Sequence, residues 1–78
     1  MMIAVGHLTV IFDGVAEGGE WRGKWTIHRP EGGAAAKDGR LLLVDDGETP
    51  ELHPNREAAT EAARKRSVAR AHELHNER

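Results

Sequence analysis

The sequence predicts an α+β fold: a three-stranded antiparallel β-meander followed by one long C-terminal helix packed on one sheet face. Three observations carry this. Apolar residues recur at every second position in the first half, and Gly- and Pro-containing breaks separate those runs. From Asn55 onward the chain contains neither Gly nor Pro and is rich in Ala, Glu and Arg, as a helix requires. At 78 residues there is room for a single domain, residues 1–78.

The first strand is read at about residues 7–13. Leu8, Val10 and Phe12 alternate there with His7, Thr9 and Asp13, the period of a half-buried strand. Ile3 and Val5 alternate in the opposite phase, and a bulge or strand start at Gly6 accounts for the change. Asp13-Gly14 and Gly18-Gly19 bracket a loop. The second strand, about 20–29, sets Trp21, Gly23, Trp25 and Ile27 on one face and Arg22, Lys24, Thr26 and His28 on the other. Pro30 ends it by withholding a ladder donor. Residues Glu31 to Gly39 read as an irregular connection. Arg40 to Asp45 is a third strand, apolar on both faces, which Asp46-Gly47 and Pro50 close.

The helix is read at about 56–74. Asn55 is its N-cap, Glu57 and Glu61 suit its positive end, and Arg64, Lys65, Arg66 and Arg70 follow later. Ala58, Ala59, Ala62 and Ala63 offer a small-residue face against a sheet that carries two tryptophans, so large strand residues meet small helix residues. The predicted core is Leu8, Val10, Phe12, Trp21, Trp25, Ile27, Ala59, Ala62 and Ala63. Beyond Ala63 the stripe breaks up, with Arg66, Arg70 and Glu73 on the same face.

Composition narrows the function classes. Without cysteine there are neither disulfides nor thiolate metal sites, and the chain suits a reducing cytoplasm, the compartment expected here. The N-terminus lacks the charged start and unbroken apolar run of a signal peptide, and no stretch is long and apolar enough for a membrane span. Net charge is −2, divided between an acidic first part (nine acids and five bases in 1–53) and a basic helix (four acids and six bases in 54–78).

Catalysis finds no constellation. Ser67 is the one serine, the threonines lack a base partner, and neither Gly18-Gly19 nor Gly32-Gly33 has the Lys-Ser/Thr ending of a phosphate loop. The chain therefore reads as a non-enzyme. Trp21 and Trp25 could stack on a flat ligand, but as strand neighbours of Ile27 they belong to a core. His72 and His75 stand three apart, unlike the zinc-protease helix motif, and would need a third ligand from His7, His28 or His53. No metal or other cofactor is expected.

Trp21-x-Gly23-Lys24-Trp25, Arg29-Pro30, Arg40-Leu41 and Glu57-Ala58-Ala59 together resemble the DNA-binding domains of plant ethylene-response factors. They also resemble the arm-type N-terminal domains of phage tyrosine integrases, over Trp21 to Ala63. The resemblance implies a bacterial or phage-like small domain whose Arg22, Lys24, His28 and Arg40 face a DNA groove. Arg64 and Lys65 of the helix would then reach phosphates.

Two functions follow. The leading one is a protein-interaction module whose partner is another protein or a second copy. Its interface would use Ile11, Leu42 and Val44, or Leu41 and Leu43 in place of the last two if the third strand turns its other face outward, since an apolar edge strand is a liability for a monomer. The alternative is nucleic-acid binding by the outer sheet face (Arg22, Lys24, His28, Arg40) and the basic helix (Arg64, Lys65). Neither a membrane nor a small-molecule cofactor is an expected partner.

Overall fold

The computed structural model describes residues 1–30 and 41–76. It is an antiparallel α+β fold with one helix on one sheet face, and its sheet has four strands where the sequence predicts three. These are β1 (Met2–Val5), β2 (Leu8–Glu17), β3 (Glu20–Pro30) and β4 (Leu41–Glu48), in the order β1-β2-β3-β4, followed by α1 (Arg56–Asn76).

The extra strand is the out-of-phase Ile3/Val5 segment. Gly6 and His7 form a two-residue hairpin turn, with Gly6 at φ +60, so β1 folds back on β2 and pairs Val5 with Leu8 and Met2 with Ile11. A hairpin reverses the strand, and the phase change is its signature. The Met1 carbonyl accepts from the Phe12 amide at 2.9 Å and the Met1 amine donates to the Phe12 carbonyl at 2.8 Å, extending this edge by one residue.

The expected loop at 14–19 is also corrected. Strand β2 runs through Gly14 to Glu17, and only Gly18 and Gly19, at φ +56 and +85, make the turn into β3. Likewise β4 passes through Asp46 and Gly47 to Glu48 instead of closing there. Gly47 lies opposite Trp25, and any Cβ on it would run into the Trp25 indole, so the ring covers the glycine backbone. The register shifts between Ile27 and His28, where Val44 is the extra residue of β4.

Past β4 the chain stays on the edge of β3. The Gly23 amide donates to Thr49 Oγ1 at 3.1 Å, the Thr49 amide donates to the Gly23 carbonyl at 2.8 Å, and Trp21 and His53 exchange two backbone bonds. Thr49 is fully buried and fully bonded, its hydroxyl donating to the Glu51 carbonyl at 2.9 Å. Asn55 caps the helix by accepting from the Ala58 amide at 2.8 Å.

The helix buries Ala59, Ala63, Ser67 and Ala71, a row spaced by four, above the β2–β3 pair. Such a row needs a flat surface beneath it. Gly14 and Gly23, cross-strand partners, supply it under the first turns. The core comprises Val5, Leu8, Val10, Phe12, Ile27, Ala63 and Ala71, with Ile3, Trp25, Val68 and Leu74 packed around it. Trp21, Trp25 and Ala62, expected in the core, are only half-buried, because the helix row lies on Ala59 and Ala63 and leaves the β3–β4 side partly open. Two ion pairs tie the helix to the sheet: Arg56 to Asp13 of β2 at 2.6 Å and Arg70 to Asp45 of β4 at 2.7 Å.

Candidate interaction surface

With the helix on one side, the opposite face of the sheet is bare among the described residues. The molecule measures 43 × 25 × 14 Å, and its radius of gyration is 13.5 Å. A compact chain of 78 residues has about 11.5 Å, so this is a thin slab with one open face.

Register places the side chains of that face in rows. Met2, Ile11, Thr26 and Asp46 form one row; Ala4, Thr9, His28 and Leu43 form the next; Pro30 and Leu41 close the sheet. These rows contain one carboxylate, Asp46, and no Lys or Arg. Their apolar members are open to solvent, Leu43 at 57% and Ile11 at 39%. His28 Nε2 and Thr26 Oγ1, 2.9 Å apart, share a hydrogen bond across this patch. Beside it, Ile11, Asp13, Lys24, Thr26, Asp46 and Glu48 line a shallow trough of about 520 Å³.

The other half of the face is ionic and net acidic, with Asp13, Glu17, Glu20 and Glu48 against Arg22 and Lys24. Arg22 donates through Nε and Nη2 to Glu17 at 2.8 and 3.1 Å and through Nη1 to the Thr49 carbonyl at 2.6 Å, and Glu48 stands 3.7 Å away. The Arg22 hydrogen bonds hold the Glu17 carboxyl below its ordinary pKa, and the same bonds raise the guanidinium. Lys24 lies 4.0 Å from Glu48. At the β2 edge, the Arg56 hydrogen bonds, then the Gly14 amide, pull the Asp13 pKa down to about 2.

The expected interface residues divide. Ile11 lies on the open face as read. Leu42 pairs with Arg29, a register position on the helix side, and is half-buried. Val44 sits in the bulge and is 38% exposed. Leu41 and Leu43 take the outward positions instead, because the one-residue bulge resets the alternation of β4.

The nucleic-acid set is not assembled into one surface. Arg22, Lys24 and His28 lie on the open sheet face, whereas Arg64 and Lys65 lie on the helix across the sheet. Arg64 is held by Glu61 at 2.5 Å, and Arg40 falls outside the described residues. His72 is exposed, and His75 meets His7 instead, with ring centres 5.5 Å apart. Among the described residues no three His, Asp or Glu side chains gather as a metal site. No described helix is long and apolar enough to cross a membrane. No family model, curated protein or solved structure matches the chain.

Proposed function

We propose that the chain is a non-enzymatic binding module whose open sheet face docks protein, with a second copy of itself as the occupant. The observation that carries the reading is the more apolar half of that face, where Met2, Ile11, Leu41 and Leu43 are exposed and Asp46 is the one charge.

Area decides how much of the face takes part. The four strands together hold 33 residues, which at about 3.3 Å per residue and about 4.8 Å between strands span roughly 520 Å². Two whole faces then bury about 1,040 Å², just above the about 1,000 Å² that a specific interface should clear, whereas the more apolar half alone yields only about half of that. The ionic rows must therefore be tolerated in the contact.

A two-fold axis along the strands, between β2 and β3, allows this. It lays β2 of one copy over β3 of the other, so Ile11 meets Thr26, Val15 meets the aliphatic stem of Arg22, and Lys24 meets Asp13. No like charges oppose each other in these three rows; at the hairpin end Glu17 comes over Glu20, and that row opposes the contact. For nucleic acid the same face is poor: its Arg22 is already spent on Glu17 and Thr49, and phosphate binding needs cations free to release counterions. Sedimentation equilibrium of the parent, Ile11→Asp and Leu43→Asp tests the reading. Dimers dissociated by either substitution are expected, and a parent that stays monomeric at millimolar concentration would overturn it.

A further inference from the structure

The sheet leaves two stretches of strand edge unpaired among the described residues. On one side β1 covers β2 only as far as Phe12, so residues 13–17 pair with β3 alone. On the other side β4 is the last strand in the order. Strand parity fixes which backbone groups face outward. Phe12 bonds to Met1 on the β1 side, so Gly14 and Ala16 turn their N–H and C=O to the vacant side. The Thr49 amide bonds to Gly23 of β3, so Gly47 and Asp45 also face β3 and Asp46 faces out.

The same arrangement recurs on both edges. The outward Gly14 amide donates to Asp13 Oδ1 at 2.8 Å, and the outward Asp46 amide donates to Asp45 Oδ1 at 2.8 Å. In each case the second carboxylate oxygen accepts from an arginine of the helix: Asp13 Oδ2 from Arg56 Nη2 at 2.6 Å, and Asp45 Oδ2 from Arg70 Nε at 2.7 Å. Asp13 starts on the open face, as the cross-strand partner of Lys24, yet reaches Arg56 on the helix side. Its carboxylate therefore crosses the edge where an added strand would lie. Water alone would satisfy either amide. An unpaired edge amide is also a group that an incoming strand bonds, and a charge held at the edge is a means of refusing that strand.

We propose that Asp13 and Asp45 guard the two edges: each carboxylate occupies an amide that an incoming strand would bond, and so keeps copies of this chain from joining edge to edge into a continuous sheet. The helical arginine holds each carboxylate in position. Guarded edges leave association to the open face, but the guarding stands whether or not that face docks a second copy.

Two double variants, compared by sedimentation velocity in native buffer, test this. Asp13→Ala with Asp45→Ala and Asp13→Asn with Asp45→Asn both remove two carboxylates, taking the net charge from −2 to zero alike, and both weaken the ties to the helix. Only asparagine keeps an oxygen within reach of the next amide. The alanine variant is expected to form species larger than a dimer, and the asparagine variant to sediment as the parent does. Assembly by both would assign the effect to charge or to the lost ties, and assembly by neither would show that the edges need no guard; either overturns the proposal. Should the alanine variant not fold, hydrogen exchange in the parent decides. After correction for intrinsic rates, the Gly14 and Asp46 amides should exchange at least about tenfold more slowly than the Ala16 amide, which faces the same vacant side as Gly14. Equal rates would overturn the proposal. Whether the parent is monomer or dimer bears on the open face alone.

Discussion

Gly23→Ala is the substitution that the close approach of helix and sheet makes most severe. A Cβ at Gly23 would meet the Ala59 carbonyl oxygen, inside any real contact distance, and would stand 2.9 Å from both Ala63 Cβ and Thr49 Cγ2. The Ala59 oxygen is helix backbone and cannot rotate away. Opening even the Ala63 contact to 3.4 Å needs half an ångström. A rigid helix about 31 Å long must lift or tilt to give it, loosening the whole Ala59–Ala71 row. Overpacking of this kind costs about 1–3 kcal/mol, and a backbone obstacle puts Gly23→Ala at the upper end. That is most of the about 3–5 kcal/mol available to so small a core. At about 4–8 °C per kcal/mol, thermal unfolding followed by circular dichroism should fall by roughly 12–24 °C. Gly18→Ala is the control: nothing lies within 4 Å of its added Cβ, and only the left-handed φ of +56 is penalised, by about 1–2 kcal/mol. A Gly23→Ala protein that melts no lower than Gly18→Ala would refute the close-packing argument.

Trp25→Ala should cost about 3 kcal/mol, the low end for a large aromatic because the ring is half-buried, and should uncover Gly47. Urea unfolding measures it; a midpoint equal to the parent's would remove Trp25 from the packing account. Asn55→Ala deletes the bond to the Ala58 amide and should cost about 1 kcal/mol, read in the same assay; an unchanged midpoint would deny the cap. Asp13 gives a pH signature. Its folded pKa of about 2 lies below the ordinary 3.8, so its contribution is complete above the ordinary value and is lost as pH falls through about 2. Asp13→Asn should therefore flatten the acid limb of the stability profile between those values, and an unaltered limb would show that the Arg56 pair does not form.

Much of this fold is legible in the sequence because its signals are local. The alternation of Leu8, Val10 and Phe12, the facing run from Trp21 to Ile27, and Asn55 ahead of a Gly-free stretch each specify their element without reference to the rest. What escapes depends on partners distant in the chain. The phase change at Gly6 is equally a bulge or a turn until β1 has a strand to pair with. Gly14 and Gly47 look like loop residues, and each is a strand position kept bare for something above it: the helix over Gly14, the Trp25 ring over Gly47. Ser67 and Ala71 join the buried row because the helix lies along an i+4 line, and a window centred on the alanine pairs finds a different line. The outward position of Ile11 and the apolar character of β4, one strand beyond its β3 neighbour, were legible. Which leucines face outward was not, because a single extra residue at Val44 reverses the alternation and no residue type marks such a bulge.

The reading of the open face rests most directly on the state of association. Translational diffusion by NMR, from micromolar to millimolar protein, should move from monomer to dimer for the parent and stay at monomer for Leu43→Asp. Adding duplex DNA at physiological salt should leave both curves where they are. A parent that diffuses as a monomer throughout, yet binds the duplex with an affinity that falls steeply as salt is raised, would contradict the account.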